Sequence, residues 1–347
     1  GLAVGIDYSL FIVSRYREER MDGRGPLDAI AGTLATAGKA VFLSALTVVL
    51  SLSAIFIVPI MVFRSMALGM ILSAVALLRD HSVPTPEEIR SALEEILPGV
   101  QKPTRYLGIE RNLVRKNWEE VEIRVALAFP DAYEIGMSHQ GLQILYHILN
   151  DLDSVAAERC YCPAPDAEAL MRQRQIELTT LENVTPLQEF DLIGITLPHE
   201  LCYTNVLTIL DLAKIELRAE DRNESSPIVI GGGTCGFNPE PVAELFDAIV
   251  IGDGEEAVAE ISRMVASLKE IKRNRSGVID ELGKIDGIYL PHRFRPDYDD
   301  QGHILSVDPL EGGPAFVRRR VLSDLDRLDH LHRPLVPNAR IVHDRLT

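Results

Sequence analysis

The spacing of apolar positions changes character near Leu78. Before that point they come in nearly unbroken runs: Gly1–Val13, Ala40–Ile60 and Ser65–Leu78, with Arg64 between the last two. Ala40–Ile60 holds 21 residues, enough to cross a hydrocarbon core of about 30 Å. Ser65–Leu78 holds 14 and spans the core only if Met61–Phe63 join it, with Arg64 snorkelling or facing protein. Gly1–Val13 reads as the last turns of a further span. The pattern predicts an α-helical transmembrane fragment over residues 1–78, lodged in a lipid bilayer. A buried helical hairpin in a water-soluble fold is the alternative, and uncharged runs of this length are costly to keep in water.

From Arg79 onward the runs shorten and alternate in type. Ser82–Leu97 carries helix signals: Thr85 as N-cap, Pro84 and Pro86 near the start, Glu87 and Glu88 in the first turn and Gly99 as a stop. Strands are predicted at Val121–Phe129, Val155–Cys160, Phe190–Leu197, Ile228–Ile230 and Ala248–Ile251. Helices are predicted between and after them, at Ser138–Asn150, Asp166–Gln173, Cys202–Ala213, Pro239–Phe246 and Glu255–Leu268. In the first of these Leu142, Leu145, Ile148 and Leu149 share a face. Apolar strands alternating with helices predict an α/β fold, a doubly wound parallel sheet of Rossmann type covered on both faces. Gly287–Val307 reads as a β-hairpin turning at Asp299–Gly302, set beside the main sheet.

Such sheets bind ligands beyond the carboxyl ends of their strands. The loops there are Pro130–His139, Leu197–Tyr203, Gly231–Asn238 and Gly252–Glu256. The candidate cofactor-binding residues are Thr196, Leu197, His199, Gly231, Gly232, Gly233, Thr234, Gly252, Gly254 and Glu255. Glycines let a ligand approach the backbone closely, but tight strand-to-helix turns need them too. Neither a G-x-G-x-x-G fingerprint nor a P-loop Lys-Ser/Thr is present. His199-Glu200 is the best polar pair there, with helix capping as its other explanation.

Charge separates the same two parts. Residues 1–79 carry seven basic and five acidic groups, net +2, so the remainder carries −18 of the total −16. The loop Ser14–Gly38, with Arg15, Arg17, Arg20 and Arg24, is expected on the cytoplasmic side. The acidic part has no basic stripe for phosphates, which argues against a nucleic-acid partner. Its four cysteines, Cys160, Cys162, Cys202 and Cys235, follow no secretory signal, so a reducing, cytoplasmic setting is expected for it. Four thiolates could form a structural zinc site, yet paired C-x₂-C knuckles are absent and buried free thiols are the expected state. His330, His332 and His343 lie among arginines of the tail and read as linker; no metal is expected.

Two resemblances give these parts a context. GLAVGIDYSLFIVSRYREE, TAGKAVFLSALTV and the apolar hairpin resemble transporters of the MMPL type, of the resistance–nodulation–division superfamily. The resemblance implies a proton relay at Asp7 and Tyr8, and a carboxylate at membrane depth fits such a path. It covers only residues 1–78 and none of the other spans, so transport by this chain is not expected. From about Pro84 to Thr347 the chain resembles the N-terminal, cobalamin-binding-like region of radical S-adenosylmethionine proteins. PIVIGGGTCGFNPEP followed by VIGDGEE is the most specific part.

That second resemblance implies a cofactor- or substrate-binding module serving a catalytic domain, its main partner. The [4Fe–4S] cluster and S-adenosylmethionine would sit in that domain, on a C-x-x-x-C-x-x-C motif that this sequence does not contain. Base-off cobalamin binding uses D-x-H-x-x-G. Here His139 has Met137 two residues before it and Leu142 three after, so either cobalamin binds without a histidine ligand or the domain has lost it. The expected organisation is residues 1–78 as transporter fragment, 79–118 as helical lead-in, 119–270 as cobalamin-binding-like α/β domain, and 271–347 as hairpin and linker. With no initiator Met and no linker at Leu78–Arg79, the sequence reads as a fusion of two pieces cut at both ends. The alternative is a fragment of a proton-driven transporter with a cytosolic extension.

Overall fold

The computed structural model describes residues 86–310, 313–324 and 334–336, all within the compact unit Pro84–Thr347. The predicted spans and Asp7 and Tyr8 lie outside the described residues, as do His330, His332 and His343. Among the described residues no helix is long and apolar enough to cross a membrane.

The centre is a six-stranded sheet, ordered β2-β1-β3-β4-β5-β6. Its strands are β1 (Ile123–Phe129), β2 (Val155–Tyr161), β3 (Leu192–Thr196), β4 (Ile228–Gly232), β5 (Ala248–Val250) and β6 (Ile288–Tyr289). The first five run parallel, in a register that sets Val125 beside Leu192, Leu192 beside Ile228 and Ile230 beside Ala248. A mostly parallel α/β sheet of this order fits a Rossmann-like fold.

Two cores flank the sheet because alternate residues point to opposite faces. On the first face Val125, Leu127, Leu192, Ile230 and Val250 meet α3 (Gln140–Asn150), α6 (Glu255–Glu270) and α7 (Arg275–Leu282). On the second, Ala126, Ile193, Ile195, Val229 and Ile249 meet α1 (Pro86–Ile96), α4 (Pro165–Arg174) and α5 (Tyr203–Leu212). A further short helix, α2 (Tyr133–Gly136), lies in the loop after β1. In α3 the fully buried residues are Leu142, Tyr146 and Leu149. Each large apolar side chain buried this way contributes about 1.5–3 kcal/mol.

The structure departs from the sequence expectation at the sheet's far edge. Helix α7 was not predicted. Helix α6 carries the chain back toward the amino edge and α7 returns it, so β6 enters antiparallel, with Val250 opposite Ile288. The expected hairpin therefore begins later than Gly287. Its strands, β7 (Phe294–Tyr298) and β8 (Ile304–Pro309), form a separate two-stranded sheet. Its turn is held by Asp299, whose Oδ1 accepts from the amides of Gln301 and His303 at 2.9 and 2.8 Å.

The opposite edge, β2, is sealed by charge. The Arg159 side chain is fully buried, its Nε 2.7 Å from Glu182 and its Nη1 3.0 Å from Glu110. The Arg159 amide also donates to Glu182 at 2.6 Å, and the Leu181 amide donates to the Arg159 carbonyl at 2.9 Å. The segment around Leu181 thus occupies backbone groups that an edge strand otherwise exposes. On the other side of β2, Glu158 accepts from the indole of Trp118 at 2.9 Å and from Asn183 at 2.6 Å. Removing one member of a buried ion cluster leaves uncompensated charge, so Arg159→Leu is expected to cost about 3–5 kcal/mol. Trp118 is the chain's single tryptophan, and its fluorescence in a urea titration reads this unit alone. A loss under about 1 kcal/mol, the size of a surface pair, would show that the cluster does not hold the edge.

Candidate functional site: a groove at the carboxyl edge

The connection after β1 runs over the first face through α3, whereas the one after β3 runs over the second through α5. The helices therefore part between β1 and β3, the position where open α/β sheets bind ligands. Between the sheet and helices α3 and α6 lies a groove of about 390 Å³, within the range of small-molecule sites. Its walls are Leu142 and Leu145 of α3 and Val258 and Ile261 of α6; its floor includes Gly194, Thr196, Ile230, Gly232 and Val250.

Two absent side chains make the floor. Gly194 lies opposite Ile230, and Gly232 lies opposite Thr196. A Cβ at Gly232 would meet nothing closer than Val250 Cβ at 3.5 Å, and one at Gly194 would touch Leu127 at 3.4 Å. Both strands thus lack cover toward the first face. Gly194 was missed in the sequence, where FDLIGITL read as continuous strand. A glycine inside a strand, which can mark close approach of a ligand, was the available signal.

The mouth is formed by the turns after β4 and β5. Gly233 and Gly252 adopt φ of 110° and 114°, which favours glycine. A Cβ at Gly252 would lie 2.1 Å from the carbonyl oxygen of Arg320. Asp253 is occupied, accepting from the Leu322 amide at 2.7 Å, and Glu256 pairs with Arg320 at 3.0 Å. Glu255, at the start of α6, lines the groove, and its Oε2 is buried without a hydrogen-bond partner. Phe237, half exposed, carries the Arg319 guanidinium 4.9 Å above its ring, and both line the groove. Neither was singled out in the sequence.

His139 also lines the groove, as the N-cap of α3: its Nδ1 accepts from the Leu142 amide at 3.2 Å. An Nδ1 that accepts leaves the proton of a neutral imidazole on Nε2.

Of the candidate residues, Thr196, Gly231, Gly232, Gly233, Thr234, Gly252, Gly254 and Glu255 line the groove. Leu197 and His199 stand outside it. Leu197 follows Thr196, so strand alternation turns it into the core of the second face, where it is fully buried. His199 precedes the 3₁₀ turn Glu200–Cys202 without a side-chain capping bond and lies beside Cys202. All four cysteines are free and buried, and burial pushes the Cys162 thiol up to about 12. A larger hollow of about 1110 Å³ opens near Tyr203 and Arg222. Its deepest charges are already paired, Asp247 lying 3.1 Å from Arg222 and 2.6 Å from Arg275.

Comparison with known proteins finds that the two parts of the chain are similar to different families. Residues 141–291 match the family model for the N-terminal region of radical SAM proteins; they run from α3 through β6 and include most of the groove. Residues 1–79 match the MMPL family. Over 86 residues, a quarter of this chain, it is 45% identical to the probable transport protein MmpL11 of Mycobacterium bovis. Over the same length it is 46% identical to the mycolic acid-containing lipids exporter MmpL11 of Mycolicibacterium smegmatis. It is 29% identical to the membrane protein YdfJ of Bacillus subtilis over 153 residues, 41% of this chain and 21% of that protein. The chain spans about 9% of the length of the MmpL11 relatives. The transporter match supports membrane association of that segment. No solved structure matches the chain.

The two kinds of glycine at the site differ in what they tolerate. Gly252→Ala forces a side chain into left-handed backbone against Arg320 and is expected to destabilise by about 1–3 kcal/mol. Gly232→Ala is expected to stay within about 0.5 kcal/mol. Trp118-monitored urea denaturation of the two variants tests the contrast, and equal losses would remove the distinction between turn and floor.

Proposed function

We propose that residues 119–270 are the cofactor-binding module of a radical S-adenosylmethionine protein, and that the groove receives the nucleotide tail of a cobalamin. The observation that carries this reading is the glycine-floored groove at the β1–β3 reversal, most of whose lining falls in the segment that matches the radical SAM N-terminal family. The residues present suit such a tail. The apolar floor and the walls at Leu142, Leu145 and Val258 accept a flat aromatic base. The glycines of the mouth admit a ribose-phosphate close to backbone amides. The orphaned Glu255 Oε2 can accept from a ribose hydroxyl, and Arg319 carries the positive charge a phosphate needs. When bound, the cofactor supplies cobalt-centred chemistry. The cap at His139 supports a cobalt without a protein imidazole, because the ring would have to surrender its bond to Leu142 and shift its proton before Nε2 could coordinate.

On this reading residues 271–347 lead toward a catalytic domain that holds the [4Fe–4S] cluster and S-adenosylmethionine, for which this chain's four cysteines lack the spacing. The four free, buried thiols fit a reducing, cytoplasmic location for the α/β unit. Residues 1–78 are then a fused transporter segment in the bilayer, where Asp7 and Tyr8 correspond to a proton relay. A second reading, a proton-driven transporter fragment with a cytosolic extension, is favoured by the 45% identity to MmpL11. It leaves the groove without a role.

Titrating hydroxocobalamin into the detergent-solubilised chain tests the first reading. Saturable binding is expected, weakened at least tenfold, about 1.4 kcal/mol, by Gly232→Leu, which fills the floor. The bound spectrum is expected to be unchanged in His139→Ala. Binding indifferent to Gly232→Leu would remove the groove from the assignment, and a nitrogen-ligand signature lost with His139 would reverse the ligation claim.

A further inference from the structure

On the second face, beyond the ends of β1 and β3, three side chains of different chemistry converge. Cys202 Sγ lies 3.4 Å from His199 Nδ1, 3.5 Å from His199 Nε2 and 4.0 Å from Asp131 Oδ2. One donor atom from each of the three falls within 4.8 Å of the others. No other such group occurs among the described residues. A tetrahedral ion with bonds of about 2.3 Å to sulfur and about 2.0 Å to nitrogen holds those two ligands about 3.5 Å apart. The Cys–His separation already has that value. Because the sulfur is nearly equidistant from both ring nitrogens, the exposed His199 ring must turn to aim one lone pair at the ion, and Asp131 Oδ2, 4.0 Å from the sulfur, must close by about 0.5 Å toward it.

The fold presents these groups deliberately on one side. His199 and Cys202 bracket a 3₁₀ turn, in which positions i and i+3 eclipse. Asp131 is fixed from its other oxygen, where Oδ1 accepts from the Ala132 amide at 2.7 Å. Its loop is tied down by Asn205, which donates to the Pro130 carbonyl at 2.9 Å, and by the Cys162 amide, which donates to the Asp131 carbonyl at 3.1 Å. Backbone and amide partners of this kind orient metal ligands. Cys202 is buried, Asp131 half-buried and His199 exposed, so the cluster has a dry side and an open side.

We propose that Asp131, His199 and Cys202 form a binding site for a divalent ion of the zinc class, with a fourth coordination position open toward solvent. One thiolate, one imidazole and one carboxylate select zinc or cobalt(II) over magnesium or calcium. Three protein ligands and an open position are the arrangement of zinc sites that bind a water or an exogenous group. The site faces away from the groove and does not rest on the cobalamin reading.

Cobalt(II) added to the full chain in detergent, reduced and under anaerobic conditions, supplies the test. One equivalent is expected to give thiolate-to-cobalt charge-transfer absorption with the intense visible bands of a four-coordinate ion, and zinc is expected to displace it. Cys202→Ser is expected to abolish the charge-transfer band. His199→Ala, at an exposed position that leaves the core intact, and Asp131→Asn are each expected to weaken binding more than about 100-fold, beyond the loss typical of an outer-shell change. Cys235→Ser is expected to leave the band in place. A missing band at one equivalent, a band that survives Cys202→Ser, or one lost in Cys235→Ser would overturn the site.

Discussion

Everything at the carboxyl edge depends on the change of face between β1 and β3. A parallel strand must be covered on both sides, and each crossover covers one of them. The chain leaves β1 over the first face and β3 over the second, so β3 and β4 receive little cover on the first face. A continuous row of large side chains there would close the gap from below. Gly194 and Gly232 keep it open, and the positive φ at Gly233 and Gly252 turns the chain away before it can cover the mouth. The groove is therefore a consequence of topology and of four missing Cβ atoms.

The reversal works only if the rest of the sheet stays in register. β2 is an edge strand, and edges slip or recruit other strands unless they are blocked. Here the Arg159–Glu182–Glu110 cluster ties the 180–182 segment to the β2 backbone, and Tyr146 lies under the same guanidinium at 5.2 Å. Tyr146 belongs to α3, so the charge that seals the edge also seats the helix forming one wall of the groove. A buried ion pair is weak evidence for stability in itself; its value here is that one geometry satisfies the edge, the helix and the loop together.

The strand–helix alternation was legible because local pattern alone determines it: period-two and unbroken apolar runs, with proline and glycine stops. The Gly-rich turns after β4 and β5 were legible for the same reason, and they do line the groove. What escaped needs information that no local window carries. β6 is only Ile288–Tyr289, and its direction depends on where α7 delivers the chain. Arg159 sat inside an apolar strand as an apparent exception, since its partners Glu110 and Glu182 are 49 and 23 positions away. Leu197 was paired with Thr196 for its place at the strand end, although neighbours in a strand face opposite sides.

That alternation also explains how one strand end serves two sites. Gly194 and Thr196 face the groove, while Ile195 and Leu197 fill the other core. Once past Leu197 the chain has crossed to the second face, where the turn from His199 to Cys202 begins, and Cys202 lies 71 positions in sequence from Asp131 at the end of β1. Single-sequence reading weighed Cys202 against the other cysteines because spacing within a segment is the usual signature of a metal site. The donors that meet here come instead from neighbouring strands, joined by the β1–β3 pairing. The sheet order that opens the groove on one face therefore brings Asp131, His199 and Cys202 together on the other.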